Sequence, residues 1–192
     1  MSVDWAFFQI LNDLAGKSPV LDVLIRLLMN DYLIPTALIL FLLGLWFSGS
    51  SQQERERNQL AAPSAIVAMF AGNLFIKLLN VLFYRPRPFA THTIHLLFYR
   101  PSDSSFPSNA TAVGFSMATA VWLHNRRAGA VMYVLASLLG LSRIIGGVHY
   151  PSDVLAGALV GIAVAHVVVR RLPIVQRLFL AVVRFLRGWV LA

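Results

Sequence analysis

Residues 108–171 read SNATAVGFSMATAVWLHNRRAGAVMYVLASLLGLSRIIGGVHYPSDVLAGALVGIAVAHVVVRR. Three apolar runs, 108–124, 128–145 and 152–169, are separated by Asn125-Arg126-Arg127 and by a short Gly-Gly loop at 146–151. Arg170 and Arg171 close the last run. A crossing of the hydrocarbon core needs about 20 apolar residues at a rise of ~1.5 Å each. The pattern predicts consecutive membrane-spanning helices joined by tight turns.

The same reading extends outward in both directions. Residues 32–48 and 60–84 are further predicted spans, with a polar loop at 49–59 between them and a polar, proline-rich loop at 85–107 after them. Residues 19–30 are apolar but short and carry Asp22 and Arg26, which leaves a tilted short helix and a re-entrant one both open. Near the start, Trp5, Phe8, Ile10, Leu11 and Leu14 share one helical face, so 1–18 is expected to lie in the interface. The end, 172–192, reads as a basic amphipathic tail on a membrane surface. The expected fold is all-α: one domain over 1–192, a polytopic bundle of five or six spans plus interfacial helices.

Composition supports this reading. Apolar residues make up 58% of the chain and charged residues only 12%, where soluble domains run near ~45–50% and ~25%. Mean hydropathy is +0.71. A soluble globule, a disordered chain and a fibrous repeat are all disfavoured. The net charge of +8 comes almost wholly from Arg, placed between apolar runs. That suits anionic lipid headgroups better than nucleic acid, so membrane lipids are the expected partners. With no Cys, disulfides and thiolate metal sites are excluded. The start, Met1-Ser2-Val3-Asp4, lacks a basic n-region, so the first helix is expected to carry the targeting information. Arg55, Arg57, Arg126, Arg127, Arg170, Arg171, Arg177, Arg184 and Arg187 fall on one side, against Arg85, Arg87, Arg100 and Arg143 on the other. This bias puts the first group in the cytoplasm, and the loops at 85–107 and 146–151 outside.

Arginine on the outer face breaks the positive-inside bias and asks for a reason. Arg87 sits in Arg85-Pro86-Arg87-Pro88, where two prolines stiffen the backbone that carries a phosphate-matching guanidinium. Alone, it reads more simply as a snorkelling Arg at a helix end. Ser108 opens a span as its expected N-cap, so free amides and the positive helix end would face the same side. In Ser142-Arg143-Ile144-Ile145-Gly146-Gly147-Val148-His149-Tyr150-Pro151-Ser152-Asp153, a cation, an imidazole and a carboxylate crowd one stretch. Asp153 is expected to orient His149, whose free ring nitrogen would attack an electrophile. Two Arg, a helix N-terminus and a His–Asp pair make a phosphoryl-transfer constellation. No metal-ligand spacing accompanies it.

These residues resemble the type 2 phosphatidic acid phosphatase superfamily, over about residues 60–170. Its third signature, SRxxxxxHxxxD, matches at Ser142, Arg143, His149 and Asp153; its first at Arg87-Pro88; its second, PSxH, at Pro107-Ser108 only. Within it, the stretch PRPFATHTIHLLFYRPSDSSFPS is most similar to bacterial undecaprenyl-diphosphate phosphatases of the bacitracin-resistance type. The resemblance implies a metal-independent and cofactor-free lipid (di)phosphatase. It would turn undecaprenyl diphosphate into undecaprenyl phosphate and phosphate, recycling the carrier lipid of cell-wall peptidoglycan synthesis. It implies a phosphohistidine on His149 as intermediate, Asp153 as its orienting partner, and Arg87, Ser108 and Arg143 as phosphoryl binders. It places the protein in the bacterial inner membrane with the site facing out. Phosphatidate, phosphatidylglycerophosphate and lipid A remain alternative substrates.

Two positions depart from the family. Many members carry Lys seven residues before the motif Arg, where this chain has Asn80; the undecaprenyl type often lacks that Lys, and Lys77 is one turn away. The family's leaving-group acid, a His, falls at Ala110. Loss of a general acid costs ~10²–10⁴ in rate. Ala110 implies an impaired enzyme or a deliberate inactivating change, the latter favoured by the otherwise intact motifs, and it leaves open a lipid-binding or transport form without turnover. His92 and His95, in the same outer loop, are possible stand-ins.

Overall fold

The computed structural model describes residues 3–171, together with Leu178 and Ala181. The tail expected at 172–192 therefore lies outside the described residues but for those two. Among the described residues there are eight helices and no strand: α1 (Val3–Asn12), α2 (Pro19–Leu28), α3 (Leu33–Phe47), α4 (Gln52–Leu82), α5 (Pro88–Thr91), α6 (Asn109–His124), α7 (Arg126–Ile145) and α8 (Pro151–Arg171). The all-α expectation holds.

Three helices, α4, α7 and α8, are by themselves long and apolar enough to cross a membrane. A fourth span arises if α2 and α3, bent by 55° at their break, count as one. The expected spans at 32–48 and 108–124 correspond to α3 and α6, whose 15 and 16 residues fall short of the ~20 needed alone. The outward faces of α3, α4, α7 and α8 carry the exposed apolar side chains Leu40, Leu43, Phe70, Leu74, Val134, Leu155 and Leu159, as contact with lipid tails requires.

The expected loop at 49–59 is instead mostly helix, because α4 begins at Gln52. Ser51 accepts from the Glu54 amide at 3.2 Å, and Glu54 reaches back to the Ser50 amide at 3.0 Å. Such a capping arrangement, followed by the strong helix formers Gln, Glu and Arg, starts the helix ahead of the apolar run.

α6 is central, packed against α4, α7 and α8. Its small residues allow that approach. On α8, Gly157 lies against the Ser108 carbonyl and Gly161 against the Ala112 carbonyl. Short polar links cross the seams, from Ser116 Oγ to the Gly161 carbonyl at 3.3 Å and between Thr119 and Tyr133 hydroxyls at 2.6 Å. Asn125 donates to Asn58 at 2.9 Å, tying the α6–α7 turn to the start of α4.

The end of the bundle opposite that turn holds the chemistry. There α1 lies across the α7–α8 connection rather than alongside the spans. Its Asn12 donates to the Ile145 carbonyl at 2.9 Å, and Phe8 is fully buried against Tyr150. α2 also sits at this end, Ile25 and Met29 packing with Leu97, Ile145 and Val148. Residues 19–28 thus form a short helix packed on the site end and bent by 55° from α3, a geometry that a broken span and a re-entrant loop share. Gly147, at φ +86°, turns the chain from α7 toward α8; a side chain there would meet the His95 carbonyl as well as backbone strain.

Candidate active site

A cavity of about 350 Å³ opens at this end, lined among others by Arg87, Asn109, Ala110, Arg143 and His149. Four elements deliver these groups. Arg87 comes from the proline-stiffened segment after α4, Asn109 and Ala110 from the first turn of α6, Arg143 from the end of α7, and His149 from the loop before α8.

His149 is buried. Its Nδ1 lies 2.8 Å from the Ser105 carbonyl, and its Nε2 lies 3.2 Å from an Nη of Arg87. A carbonyl only accepts and a guanidinium only donates. Nδ1 therefore carries the proton, and the lone pair of Nε2 is aimed into the cavity wall formed by Arg87. Burial holds the His149 pKa below the ordinary histidine value, Arg87 and Arg143 adding to the effect and Asp153 opposing it.

Asp153 departs from its expected place. It is fully buried, but its Oδ2 lies 3.8 Å from His149 Nδ1, beyond a hydrogen bond. That oxygen accepts instead from Ser105 Oγ at 2.5 Å and the Tyr150 amide at 2.9 Å, while Oδ1 accepts from Arg85 at 2.7 Å. The imidazole is oriented directly by the Ser105 carbonyl, and Asp153 acts on it as a nearby charge and as the anchor of Ser105. No side-chain pattern announces a backbone acceptor, so sequence reasoning missed Ser105.

Both buried arginines are engaged by carboxylates at the cavity. Arg87 donates to Asp103 Oδ1 at 2.8 Å, to the Asp103 carbonyl at 3.1 Å and to the Val148 carbonyl at 3.0 Å. Arg143 donates to Asp31 at 2.7 Å, and its guanidinium lies 4.8 Å from the centre of the Phe98 ring. Its buried Nε has no partner. A buried donor left unpaired is costly. Tyr99, which donates to Asp31 at 2.9 Å, also lines the cavity. Asp31, Tyr99 and Asp103 carried no sequence signal as site residues.

Ser108 is N-terminal to α6 as expected, but its hydroxyl makes no cap. It is fully buried and pairs with the Thr111 hydroxyl at 3.0 Å, and its amide donates to the Asp153 carbonyl at 3.0 Å. The cavity is lined by the next two residues, Asn109 and Ala110. The helix start itself faces the site, with first-turn amides that have no helical acceptor. His92 stacks on Trp5 with ring centroids 3.7 Å apart, and the His95 amide donates to Asn12. Neither lines the cavity, so neither replaces the missing His at Ala110.

The arrangement offers a neutral imidazole with its lone pair directed at a cation-lined cavity. It can attack phosphorus while two guanidiniums and helix-start amides hold the oxygens. Comparisons with known proteins show the family. The family model of the PAP2 superfamily matches residues 61–177. The chain is 31% identical to "Undecaprenyl-diphosphatase BcrC" of Bacillus subtilis (strain 168), over 88% of this chain and 83% of that one. It is 32% identical to "Bacitracin transport permease protein BcrC" of Bacillus licheniformis, over 81% of this chain and 73% of that one. Among solved structures, LpxE of Aquifex aeolicus is similar at a TM-score of 0.68 and 28% identity, covering 88% of this chain and 96% of the other.

Proposed function

The chain belongs to the PAP2 superfamily, and on that premise we propose that it hydrolyses undecaprenyl diphosphate to undecaprenyl phosphate and phosphate, with His149 as nucleophile. The observation that carries this reading is the buried His149, its Nδ1 proton committed to the Ser105 carbonyl and its Nε2 facing the Arg87–Arg143 cavity.

In the first step Nε2 forms a bond to the terminal phosphorus while the bond from phosphorus to the bridging oxygen breaks. Undecaprenyl phosphate leaves with that electron pair. The ring gains positive charge, which the Ser105 carbonyl and the Asp153 carboxylate offset. Water then attacks the phosphohistidine, phosphate departs, and neutral His149 returns. Arg87, Arg143 and the amides opening α6 hold the transferring oxygens, and Asp103 and Asp31 yield those guanidiniums to the substrate.

Ala110 bears on the substrate. A diphosphate expels a phosphate monoester, whose second pKa is about 6 and which leaves without a donated proton. A phosphate monoester expels an alkoxide and depends on that proton far more. The missing acid thus favours a diphosphate over phosphatidate. The protein would act in the bacterial inner membrane with this site facing outward, returning carrier lipid to cell-envelope synthesis.

Phosphate release from undecaprenyl diphosphate and from phosphatidate, by this chain and by Ala110→His side by side and with chelator present, tests the reading. Release from the diphosphate, with an acid-labile phosphoryl group on the protein that His149→Ala lacks, is the expected outcome. Preference for phosphatidate would make it a phosphatase of another lipid. Binding without release in both forms would favour a lipid-binding or transport protein, the reading that Ala110 at the cavity wall supports.

A further inference from the structure

We propose that Arg85 is a positioning residue for His149 and Asp153, held in place by Asp4 of the first helix; this rests on His149 being the nucleophile.

Asp153 is fully buried, and its Oδ1 receives an Nη of Arg85 at 2.7 Å. The other Nη of Arg85 donates to Asp4 at 2.7 Å. Asp4 also accepts from the Ser152 amide at 3.0 Å and the Ser152 hydroxyl at 2.6 Å, and the Arg85 guanidinium lies 4.0 Å from the centre of the Tyr150 ring. One planar fork therefore spans two carboxylates, one in the site and one on a helix that lies across it. The Asp4 carboxyl reflects this: burial would raise its pKa, yet the contacts to Ser152 and Arg85 outweigh that and hold it below the ordinary value.

The backbone of Arg85 belongs to the same circuit. Its carbonyl accepts from the Ser105 amide at 2.9 Å, and its amide donates to Ser104 Oγ at 3.1 Å. The Ser105 carbonyl in turn takes the Nδ1 proton of His149, and the Ser105 hydroxyl binds Asp153. Arg85 thus fixes both the acceptor that orients the imidazole and the carboxylate beside it. Neither Arg85 nor Asp4 lines the cavity, so an effect of either side chain on the reaction is indirect.

The charges around His149 give a test by sign. Arg87, paired with Asp103, faces it from the segment after α4; Arg143, paired with Asp31, from α7; and Asp153, paired with Arg85 and through it with Asp4, from α8. Removing the Arg85 charge leaves Asp153 uncompensated and favours protonated His149. Removing the Asp4 charge leaves Arg85 to Asp153 alone and disfavours it. Mere loosening would hydrate His149 and move both variants upward together.

The experiment uses the full chain in lipid nanodiscs with ring-labelled histidine, following the His149 titration by NMR and assigning it with His149→Gln. Arg85→Gln should move the midpoint to higher pH, Asp4→Asn to lower pH, and Arg85→Lys should stay closer to the parent than Arg85→Gln. Movement of both charge-removal variants in one direction, or of neither, overturns the proposal. If Arg85→Gln does not fold, Asp4→Asn decides, a downward shift supporting and any other result overturning. In turnover of undecaprenyl diphosphate, Arg85→Gln should lose about tenfold or more in kcat with KM within about twofold; a loss confined to KM counts against it. A parent chain that releases no phosphate would defeat the hydrolytic reading alone, and the NMR result would still decide this one.

Discussion

The Nε2 of His149 and the guanidinium of Arg87 lie 3.2 Å apart in a buried contact. Arg87 has no acceptor to offer, so the contact fixes the tautomer as well as the distance. The Nε2 lone pair is unprotonated and is covered by Arg87, the group proposed to bind the substrate's oxygens, so on the proposed mechanism an arriving phosphoryl group would have to displace this contact.

Turnover should persist into mildly acidic conditions. His149 reacts only when neutral, and burial with Arg87 and Arg143 holds its pKa below 6.5. The acid limb of kcat/KM against pH should therefore lie below the ordinary histidine midpoint; a limb at or above it would contradict the geometry. The same shift acts on stability. Below pH 6.5 the unfolded chain takes up a proton that folded His149 refuses, so stability declines as pH falls through that window. The contribution of Asp4, whose folded pKa is lowered, is present above the ordinary carboxylate value and is lost only in more acidic solution.

Restoring an acid should be felt unequally. Ala110→His places a proton donor at the wall of the cavity, where general acid catalysis contributes ~10²–10⁴. Phosphatidate hydrolysis should gain most of that factor and undecaprenyl diphosphate hydrolysis clearly less. Parallel assays of both substrates measure it, and equal gains would remove the argument from leaving-group basicity.

The carboxylates at the cavity should compete with substrate. Asp31→Asn frees Arg143 from a pair that is partly exposed on the acid side, a pair worth up to ~1 kcal/mol. Inorganic phosphate should then inhibit at up to about fivefold lower concentration. Asp103→Asn should act in the same direction through Arg87. Weaker inhibition in both would mean that the carboxylates organise the arginines and do not oppose the anion.

The α6–α8 seam should be intolerant of a single methyl. Gly157→Ala drives a side chain into the Ser108 carbonyl, and such overpacking costs ~1–3 kcal/mol. Gly44→Ala on α3 meets nothing within 4 Å and should be neutral or stabilising by up to ~1 kcal/mol. Thermal unfolding in detergent distinguishes the two, and equal midpoints would refute the packing account.

The apolar parts of the longer helices were legible as runs bounded by charge or proline, whereas the four-residue α5 (Pro88–Thr91) fell inside the stretch expected as a loop. Arg87, Arg143, His149 and Asp153 do meet because their segments share one end of the bundle. What stayed hidden depends on distance in sequence. Asp4 meets Arg85 across 81 residues and Asp31 meets Arg143 across 112, with no local spacing to betray either. Ser105 acts through a carbonyl that every residue owns. Ser108 stands at the N-cap of α6 as its sequence position implied, and the helix start it marks faces the cavity, while its hydroxyl turns back to Thr111. The helical start of α4 was in reach, since Ser51 and Glu54 stand at capping-box spacing.

Asp31 and Pro35 bring the bend between α2 and α3 into the cavity wall. On the proposed function, a lipid headgroup seated there would keep its hydrocarbon chain among neighbouring acyl chains. Encounter would be a search in two dimensions, and its rate would scale with the mole fraction of substrate in the leaflet or micelle rather than with molarity. Adding inert detergent at constant total substrate should slow the reaction by surface dilution alone.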